Sequence, residues 1–378
     1  MDKIELPVIQ IQAGSCCGTA ATAVEGVLPD LKQSFVIGSV ETPMGALPRV
    51  SSELVRADRW GSIKARWGVG RMEYKVDPGL YALGTPDAES PVFVSANYKM
   101  SFDLLRQSLA GRSGWILVLD TKGINVWCAA GKGTFGTAEL VRRIESSGLK
   151  QIVRHRKLIL PQLGAPGVAA HRVKQQSGFS VYYGPIRAAD LPAYLDAGWK
   201  ATTQMRVQTF SLKERAVLIP IEFIGTIKPL LILSAAFLVI SGITGPAGFW
   251  TNIGSVGLFA VAALLGAVIS GAVLHPLLLP YLPGRAFTIK GFTIGIVLAL
   301  ILLYLRAIDL SDWPGRIEAA AWLFIIPAIS GYLAMNFTGC STYTSLSGVK
   351  KEMRWALPLE MTCVAVGVFM WLGALLIA

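Results

Sequence analysis

The distribution of hydrophobic and polar positions differs between the two parts of this chain. Up to about residue 210, short apolar runs alternate with segments whose apolar residues recur at helical spacing, whereas residues 229–284 contain no charged side chain. Short apolar runs between helical patterns are typical of an α/β sheet, and apolar stretches of about 20 residues are typical of transmembrane helices. The pattern therefore predicts a Rossmann-like α/β domain followed by an all-α membrane domain.

The apolar runs locate the predicted strands, and the helical patterns locate the predicted helices. Strands are expected at residues 34–40, 91–95, 115–119, 157–160 and 179–183. Helices are expected at residues 101–110, 138–144, 168–176 and 188–195, with Ser101 as the N-cap of the first. Residues 59–70 alternate basic and aromatic side chains, which predicts a partly exposed strand. Strands that alternate with helices in this way imply parallel βαβ units.

Five long apolar stretches predict transmembrane helices. They cover residues 229–243 with an upstream extension, 253–274, 289–308, 319–335 and 355–378. Basic residues precede the first stretch and occupy the second and fourth connecting segments, and such segments stay in the cytoplasm. We therefore expect a multi-pass protein of the inner membrane with its N-terminal domain in the cytoplasm and its C-terminus outside. The start of the chain lacks the pattern of a secretory signal, which agrees with that topology.

The same patterns divide the chain into four segments. Residues 1–32 are expected to be a flexible lead-in, 33–205 the cytoplasmic α/β domain, 206–228 a basic linker and 229–378 the membrane domain. The formal net charge is +11, but the basic and aromatic residues at 59–70 form a patch too small for nucleic acid. The five apolar stretches make a lipid bilayer the expected partner. Five cysteines do not suggest a disulfide framework in a cytoplasmic chain. The adjacent Cys16 and Cys17 could hold a soft metal such as Hg(II), or they could be an incidental pair.

The segment between the strand at 115–119 and the helix at 138–144 carries the candidate chemistry. Asn125 is a suitable N-cap, the residues after it can form one or two helical turns, and Gly131 can end them in the left-handed conformation. Cys128 would then lie in the first turn, where backbone N–H groups and the helix dipole favour a thiolate. This position suits a metal ligand. The alternative is a small apolar cysteine packed under Trp127.

Two nucleotide-binding motifs fit this segment poorly. Gly131, Gly133 and Gly136 satisfy G-x-G-x-x-G, but a dinucleotide fingerprint requires that turn directly after the strand, and here about ten residues intervene. A phosphate loop requires a glycine where Val126 stands, and Ser or Thr where Gly133 stands. The segment therefore predicts neither kind of nucleotide site.

Residues 125–132, Asn-Val-Trp-Cys-Ala-Ala-Gly-Lys, resemble the cap-helix motif of the mercury-methylating corrinoid proteins, the HgcA family. The tail with five apolar stretches and the hydroxyl-rich segment at residues 336–345 are similar to that family as well. In that family the cysteine of the motif, here Cys128, is taken to be the lower axial ligand of cobalt in a corrinoid. The resemblance therefore implies that Cys128 is both the catalytic residue and the metal ligand.

Residues 160–168, Leu-Pro-Gln-Leu-Gly-Ala-Pro-Gly-Val, look like the corrinoid-binding part of the corrinoid iron–sulfur protein of the acetyl-CoA pathway. In a parallel sheet the ligand lies outside the carboxyl ends of the strands, so this turn should lie close to the cap segment. Its glycines allow the backbone to approach a flat macrocycle, although an ordinary turn remains open for Gln162. The predicted cofactor-binding residues are Asn97, Tyr98, Asn125, Val126, Trp127, Cys128, Ala129, Ala130, Gly131, Lys132, Pro161, Gln162, Gly164 and Gly167.

The resemblance implies a membrane-anchored methyltransferase that moves a methyl group from a corrinoid to Hg(II) and forms methylmercury. Because Hg(II) is an electrophile, the methyl group must leave with its bonding electrons, and a thiolate is a strong donor that favours this. No cysteine spacing typical of an iron–sulfur cluster occurs in the sequence. The resemblance therefore implies a ferredoxin-like iron–sulfur partner as electron donor and possible Hg(II) donor, and methyl-folate as methyl donor.

Two other functions stay open at this point. One is a methyl carrier of acetyl-CoA-type one-carbon metabolism, and the other is a non-enzymatic corrinoid sensor or transport component. A histidine ligand for cobalt is unsupported, because none of His155, His171 and His275 lies in an Asp-x-His-x-x-Gly context. The first two are expected to be surface or turn residues, and His275 is expected to cap a span.

The membrane half offers three further candidates. Glu360 lies inside the fifth apolar stretch, so it is a functional candidate unless it snorkels to the interface. Cys340 and Cys363 could pass Hg(II) along, or they could be small packing residues.

Overall fold

A seven-stranded mixed sheet forms the centre of the N-terminal part of the chain. The structure is a computed structural model and describes residues 28–245, 247–337 and 346–377. The strands are β1 Val36–Thr42, β2 Gly45–Val50, β3 Gly79–Leu83, β4 Val92–Ala96, β5 Gly114–Leu119, β6 Lys157–Leu160 and β7 Ser180–Tyr183. The helices of this part are α1 Arg56–Arg66, α2 Lys99–Ser108, α3 Val126–Lys132, α4 Thr137–Ser146, α5 Leu149–Ile152, α6 Ala170–Ser177 and α7 Leu191–Asp196. The predicted α/β fold class is confirmed.

The strands lie in the order β1-β2-β3-β5-β4-β6-β7. Strands β4 to β7 are parallel, as predicted. Strand β3 is antiparallel to β5, and β1 is antiparallel to β2, so one side of the sheet departs from the βαβ pattern. The sequence prediction missed β2 and β3. The reason is that β2 contains Pro48, which argues against an interior strand, and β3 is a short run buried along its whole length without alternation.

The central strands are buried on both faces. Every residue of β3, β4 and β5 is buried. On one face Leu140 of α4 and Val173 of α6 pack in the core, and on the other face Phe102 of α2 and Tyr194 of α7 do so. Strands covered on both faces require continuous apolar runs, and the runs of β4 and β5 were long enough to be visible in the sequence.

Residues 56–66 form helix α1, so the strand predicted over residues 59–70 is wrong. Trp60, Ile63 and Trp67 recur at helical spacing within a basic and aromatic alternation that also fits a strand, and a segment this short does not separate the two periods. At the start of the helix the Asp58 carboxylate accepts a hydrogen bond from the Val55 backbone N–H at 3.2 Å.

A buried cluster of four charged side chains joins α1 to α2. Lys99 Nζ lies 2.6 Å from Asp58 and 2.8 Å from Asp103, and Arg106 lies 2.7 Å and 2.8 Å from the same carboxylates. None of these side chains is more than 8% exposed. The pairs place Lys99 in the first turn of α2, so Ser101, the predicted N-cap, lies inside the helix.

Five helices in the C-terminal part are long and apolar enough to cross a membrane, by length and composition. They are Leu212–Thr244, Phe249–Leu278, Phe287–Arg306, Trp313–Asn336 and Gly348–Ile377. Their regular α-helical portions are α8 Leu212–Ala216, α9 Ile219–Thr244, α10 Phe249–Asn252, α11 Leu258–Val268, α12 His275–Leu278, α13 Phe287–Arg306, α14 Trp313–Asn336 and α15 Leu346–Ile377. The segment 206–228, predicted as a linker, therefore contains α8 and the first turns of α9.

Two polar residues of these long apolar helices are buried where the sequence suggested exposure. Glu360 is only 3% exposed, and neither carboxylate oxygen has a hydrogen-bond partner among the described residues, so it does not snorkel to the surface. His275 is completely buried within α12 and does not cap a span. By contrast, His155 bonds to the Ser90 carbonyl in a half-buried turn and His171 is exposed, as expected. The predictions for Cys16, Cys17, Cys340 and residues 1–27 and 338–345 lie outside the described residues.

Candidate functional site

The carboxyl ends of β4, β5 and β6 meet at one edge of the sheet. Asn97 and Tyr98 follow β4, residues 120–132 follow β5, and residues 161–167 follow β6. Because these strands are parallel, the structure brings the three predicted segments together. Residues of the second and third segments, Asn125, Trp127 and Pro161, line one cavity at this edge, and Asn97 of the first segment is hydrogen-bonded to Thr121 of the second.

Asn97 holds the turn that leads from β5 to helix α3. Its side-chain oxygen accepts from the Thr121 N–H at 3.1 Å, from the Thr121 hydroxyl at 2.8 Å and from the Gly123 N–H at 3.0 Å. The turn needs this support because Lys122 and Gly123 both adopt left-handed φ values of 59° and 72°. Asn97 is only 2% exposed, so it positions the turn from below and does not face the cavity.

The same turn carries the ionised side chain of Asp120 and is hydrogen-bonded to helix α4. The Asp120 N–H donates to Glu139 of α4 at 2.8 Å, and the Asp120 carboxylate pairs with Lys122 at 2.6 Å. Burial raises the pKa of Asp120, but hydrogen bonds from the Lys122 ammonium and backbone outweigh it and leave the pKa below its usual value. Asp120 is therefore charged at neutral pH.

The cap helix, α3, begins as predicted and ends later. Asn125 is the N-cap, and its side-chain oxygen accepts from the Cys128 N–H at 2.9 Å. The helix continues through Lys132, and Gly133 ends it with a left-handed φ of 82°. The prediction that Gly131 closes the helix is therefore wrong. The physical reason is that the Gly133 N–H reaches the Ala130 carbonyl at 3.3 Å, which adds about half a turn.

Cys128 occupies the third position of the cap helix and is half-buried, with no disulfide partner. Ala129 and Ala130, the next two residues, are buried in the core under the helix. Gly131 and Lys132 are exposed. The cap helix is thus fixed to the domain by its alanines while Cys128, Gly131 and Lys132 keep access to the outside.

The glycines of the turn after β6 fit closely against the segment that follows the cap helix. A Cβ on Gly167 would lie 2.1 Å from the Phe135 carbonyl oxygen and 3.0 Å from the Ala130 Cα. A Cβ on Gly164 would lie 2.5 Å from the Phe135 ring. The absence of side chains at these two positions is therefore required by contacts within the protein, whereas the sequence had suggested an approach to a macrocycle.

The cavity below the cap helix has a volume of about 240 Å³ and a mainly apolar lining. Of the predicted residues, Asn125, Val126, Trp127 and Pro161 line it. Sequence reasoning missed several others, including Ser95, Ser101, Leu104, Leu163, Pro185 and Ile186. Pro185 and Ile186 follow β7, so the rule that ligands lie beyond parallel strand ends could have identified them.

Two predicted residues face other parts of the protein. Tyr98 packs edge-on against Tyr74 and lies under the Arg71 guanidinium, with ring-to-cation separation of 5.6 Å. Burial raises the pKa of Tyr98, and the positive charges of Arg71 and Arg66 oppose this only partly. The Gln162 side chain accepts a hydrogen bond from Arg206. Neither residue lines the cavity.

The donor set at this edge suits a metal that arrives already chelated. No group of three or more His, Cys, Asp or Glu side chains that could hold a metal ion occurs within the described ranges. A bare ion would therefore find fewer than three such ligands at this edge among the described residues. A cobalt ion whose equatorial positions are filled by a corrin ring needs just one axial ligand from the protein, and this arrangement fits that requirement.

The comparisons with known proteins concern the same region. Residues 69–195, which include every predicted cofactor-binding residue, match the family model described as CO dehydrogenase/acetyl-CoA synthase delta subunit. Relatives include the acetyl-CoA decarbonylase/synthase complex subunit gamma of Archaeoglobus fulgidus, 30% identical over 131 residues, and that of Methanopyrus kandleri, 33% identical over 129 residues. Subunit gamma 1 of Methanosarcina thermophila is 30% identical over 133 residues.

These matches cover 33% to 34% of this chain and 27% to 28% of the relatives. The chain therefore spans about a quarter of the length of the curated relatives it matches. The family match ends at residue 195, before the helices long enough to cross a membrane. The α/β domain is thus similar to subunits of the acetyl-CoA synthase system, which confirms the predicted likeness to a protein of that pathway.

Proposed function

We propose that this protein is a membrane-anchored, corrinoid-dependent methyltransferase that transfers a methyl group to Hg(II), with the Cys128 thiolate as the lower axial cobalt ligand. The observation that carries the proposal is the place of Cys128. It lies half-buried in the first turn of a cap helix, at the sheet edge where parallel α/β domains bind ligands. The similarity to acetyl-CoA synthase subunits supports the corrinoid, and the resemblance of residues 125–132 to the HgcA motif supports mercury as the acceptor.

The residues around Cys128 have distinct roles in this proposal. A bound corrinoid supplies the methyl group and the cobalt that carries it. Cys128 would hold this group, and its thiolate would supply the electron density that favours loss of the methyl group with its bonding electrons to Hg(II). Asn125 fixes the first turn that carries the thiol, and the buried Ala129 and Ala130 hold the helix in place. Asn97 acts through the turn that it supports.

Gly131, Lys132 and the turn after β6 complete the proposed binding surface. Gly131 and Lys132 are exposed beside Cys128, and Pro161 and Trp127 line the neighbouring cavity. Gly164 and Gly167 keep that turn against the cap segment. Tyr98 and Gln162 contribute to the binding surface indirectly. Tyr98 packs against Tyr74, and Gln162 accepts a hydrogen bond from Arg206.

The proposal requires partners that this chain does not supply. No iron–sulfur cysteine pattern occurs in the sequence, so a ferredoxin-like iron–sulfur protein is the proposed source of electrons and a candidate source of Hg(II). Methyl-folate is the proposed methyl donor. The distribution of basic residues supports an N-terminal domain in the cytoplasm and a C-terminus outside the inner membrane.

A second function is favoured by a separate observation. The family match and the relatives all concern acetyl-CoA decarbonylase/synthase subunits, so the α/β domain could serve as a methyl carrier in one-carbon metabolism of that type. Such a carrier hands its methyl group to an acceptor other than Hg(II). The two functions therefore differ in the product formed.

The test uses the full chain, preloaded with methyl-corrinoid and mixed with Hg(II), and measures methylmercury in a single turnover. Wild type should form methylmercury, and Cys128→Ala should not. Cys128→His keeps a ligand that is a weaker donor, so its rate should fall by orders of magnitude, at about tenfold for each 1.36 kcal/mol added to the barrier. Cys363→Ala, which changes the other described cysteine, is the matched control and should behave as wild type.

Two results would contradict the proposal. The absence of methylmercury from loaded wild type, together with methyl transfer to an acetyl-CoA synthase, would support the carrier function. A near-normal rate in Cys128→His with spectroscopically established nitrogen ligation would show that the thiolate is not needed as a donor.

A further inference from the structure

Helix α1 exposes a stripe of large apolar side chains. Trp60, Ile63 and Trp67 are 60%, 46% and 48% exposed. At about 100° of rotation per residue, these three positions fall within one narrow sector of the helix. Asp58 and Ala65 are buried on the opposite side, against the α/β domain. The apolar stripe is therefore not part of the domain's core, and it needs another reason to be apolar.

Basic side chains border the apolar stripe. Arg56 lies within it, and Arg59 and Lys64 lie on either side, all three exposed. Asp58, the only acidic residue of α1, is turned inwards and neutralised by Lys99. A helix that combines exposed Trp and Ile with a border of Arg and Lys has the composition of a helix that lies in a membrane interface.

The end of α1 lies next to the first of the helices that are long enough to cross a membrane. A Cβ on Gly68, two residues after α1, would lie 3.5 Å from Ile221 and 3.7 Å from Ile224 of α9. Lys228 is the last charged residue before the uncharged stretch at 229–284. With a rise of about 1.5 Å per residue, Ile224 lies about 6 Å from Lys228 on the side away from the uncharged stretch, within the polar headgroup region, and Ile221 lies about 10 Å from it, at the outer edge of that region.

We propose that α1 and the turn at residues 67–72 lie on the bilayer surface. Trp60, Ile63 and Trp67 insert between headgroups, and Arg56, Arg59 and Lys64 contact anionic phospholipids of the same leaflet. The occupant is lipid because the stripe continues from the contact with α9, which already enters the membrane. A protein partner would have to compete with the bilayer for a surface at this height.

Docking of α1 also determines where the candidate site lies. A Cβ on Gly123 would be 2.9 Å from the Met72 carbonyl oxygen, so the segment after α1 touches the turn that leads to the cap helix. Lipid contact on α1 therefore holds the cap edge of the sheet at a fixed height above the membrane. This inference does not depend on the identity of the cofactor or of the methyl acceptor.

The experiment uses the full-length protein in bilayers of phosphatidylcholine, with and without phosphatidylglycerol, that contain a phospholipid with a photoreactive group near its glycerol backbone. Cross-linked peptides are mapped by mass spectrometry. Peptides within residues 56–72 should be labelled together with the membrane helices, and their labelling should rise when phosphatidylglycerol is present. The triple variant Trp60→Ser, Ile63→Ser, Trp67→Ser should lose the labelling of this segment only.

The charge contribution is tested with Arg59→Glu, Lys64→Glu, which should lower labelling of residues 56–72 roughly tenfold in anionic bilayers. Ile37→Ser, at an exposed apolar position of β1, and Lys150→Glu, Arg154→Glu, at exposed basic positions, are matched controls that should change nothing. If wild-type residues 56–72 stay unlabelled in both bilayers, the proposal is overturned. Protection of that unlabelled segment from amide exchange by an added ferredoxin-like protein would then identify a protein-docking surface.

Discussion

One amide side chain holds the turn that carries the chain from β5 into the cap helix. Asn97 accepts hydrogen bonds from the N–H groups of Thr121 and Gly123 in a fully buried position. The Asn97 side chain combines an uncharged acceptor for these N–H groups with a donor for Asp120. An aspartate would keep the acceptor but would place a second carboxylate beside Asp120, which now accepts from the Asn97 amide at 3.3 Å.

At this position we expect Asn97→Ala to destabilise the α/β domain by about 2–4 kcal/mol, because two buried N–H groups each lose a partner at a cost of about 1–3 kcal/mol. Limited proteolysis of the full chain at increasing urea concentrations measures the change in the free energy of unfolding. Asn97→Asp should lose less stability relative to wild type at low pH than at neutral pH. An alanine variant as resistant as wild type would show that the turn is held by other contacts.

At the scale of elements, the cap helix and the turn after β6 form one packed unit. We expect Gly167→Ala to destabilise this unit by about 2 kcal/mol or more, since its Cβ would clash with a backbone carbonyl that cannot move without the Phe135 loop. Gly131→Ala is the matched comparison, because nothing lies within 4 Å of its added Cβ and Gly131 is helical. That variant should be as stable as wild type or more stable, by up to about 1 kcal/mol.

The same pair of variants separates packing from cofactor contact. If Gly131 faces the corrinoid as proposed, Gly131→Ala should lower the cobalt content of reconstituted protein although its fold is intact. Cobalt content and unfolding temperature are therefore measured together. Full cobalt content in Gly131→Ala would show that Gly131 is not part of the proposed binding surface. An unchanged unfolding temperature in Gly167→Ala would contradict the packing argument.

Buried ion pairs join helices α1 and α2, so the packing of these helices is sensitive to acid. Burial raises the pKa of Asp58, but hydrogen bonds and charge from Lys99 and Arg106 outweigh it and hold the pKa below the ordinary value of 3.8. A carboxyl group with a lowered folded-state pKa stabilises the fold above its unfolded pKa, and this contribution is lost as the pH falls through the folded pKa. The stabilisation by Asp58 should therefore be complete at neutral pH and decline below about pH 4.

Asp58→Asn tests this link between the helices. It should destabilise the domain at pH 7 by about 3 kcal/mol, because it leaves buried cations with one anion fewer, and it should flatten the acid branch of the stability curve. Asp196→Asn, which alters an exposed pair with Arg112, should change little. Equal effects of the two variants would mean that the buried cluster is energetically no different from a surface ion pair.

At the scale of the whole molecule, the α/β domain and the membrane helices meet through few residues. Phe210 is buried beside Leu279, Phe287 and Phe337 of the membrane helices, so the domain ends before it. We expect a fragment of residues 1–207 to be soluble, folded and able to retain a corrinoid, because the sheet and all three binding segments precede the cut. Size-exclusion chromatography and cobalt analysis check this. A folded fragment without cofactor would place part of the binding site on the membrane helices.

Local pattern determined much of this protein. The apolar run of β5 and the N-cap at Asn125 predicted the strand and the start of the cap helix. The order of strands and helices placed Cys128 at the sheet edge beyond the carboxyl ends of the strands, and the apolar stretches predicted five helices long enough to cross a membrane. These features follow from contacts between residues near each other in sequence, or from burial along a whole element, so they are visible without a fold.

Long-range packing decided the rest. Asp58 reaches Lys99 and Arg106, and this helped to make α1 a helix where the alternation of residues suggested a strand. The Phe135 loop, not a ligand, accounts for the missing side chain at Gly167, and the neighbouring helices bury Glu360 where its position near a helix end suggested exposure. Each of these outcomes depends on a partner far away in the sequence. A local pattern records which side chains a segment has, but only the tertiary structure brings those partners to it.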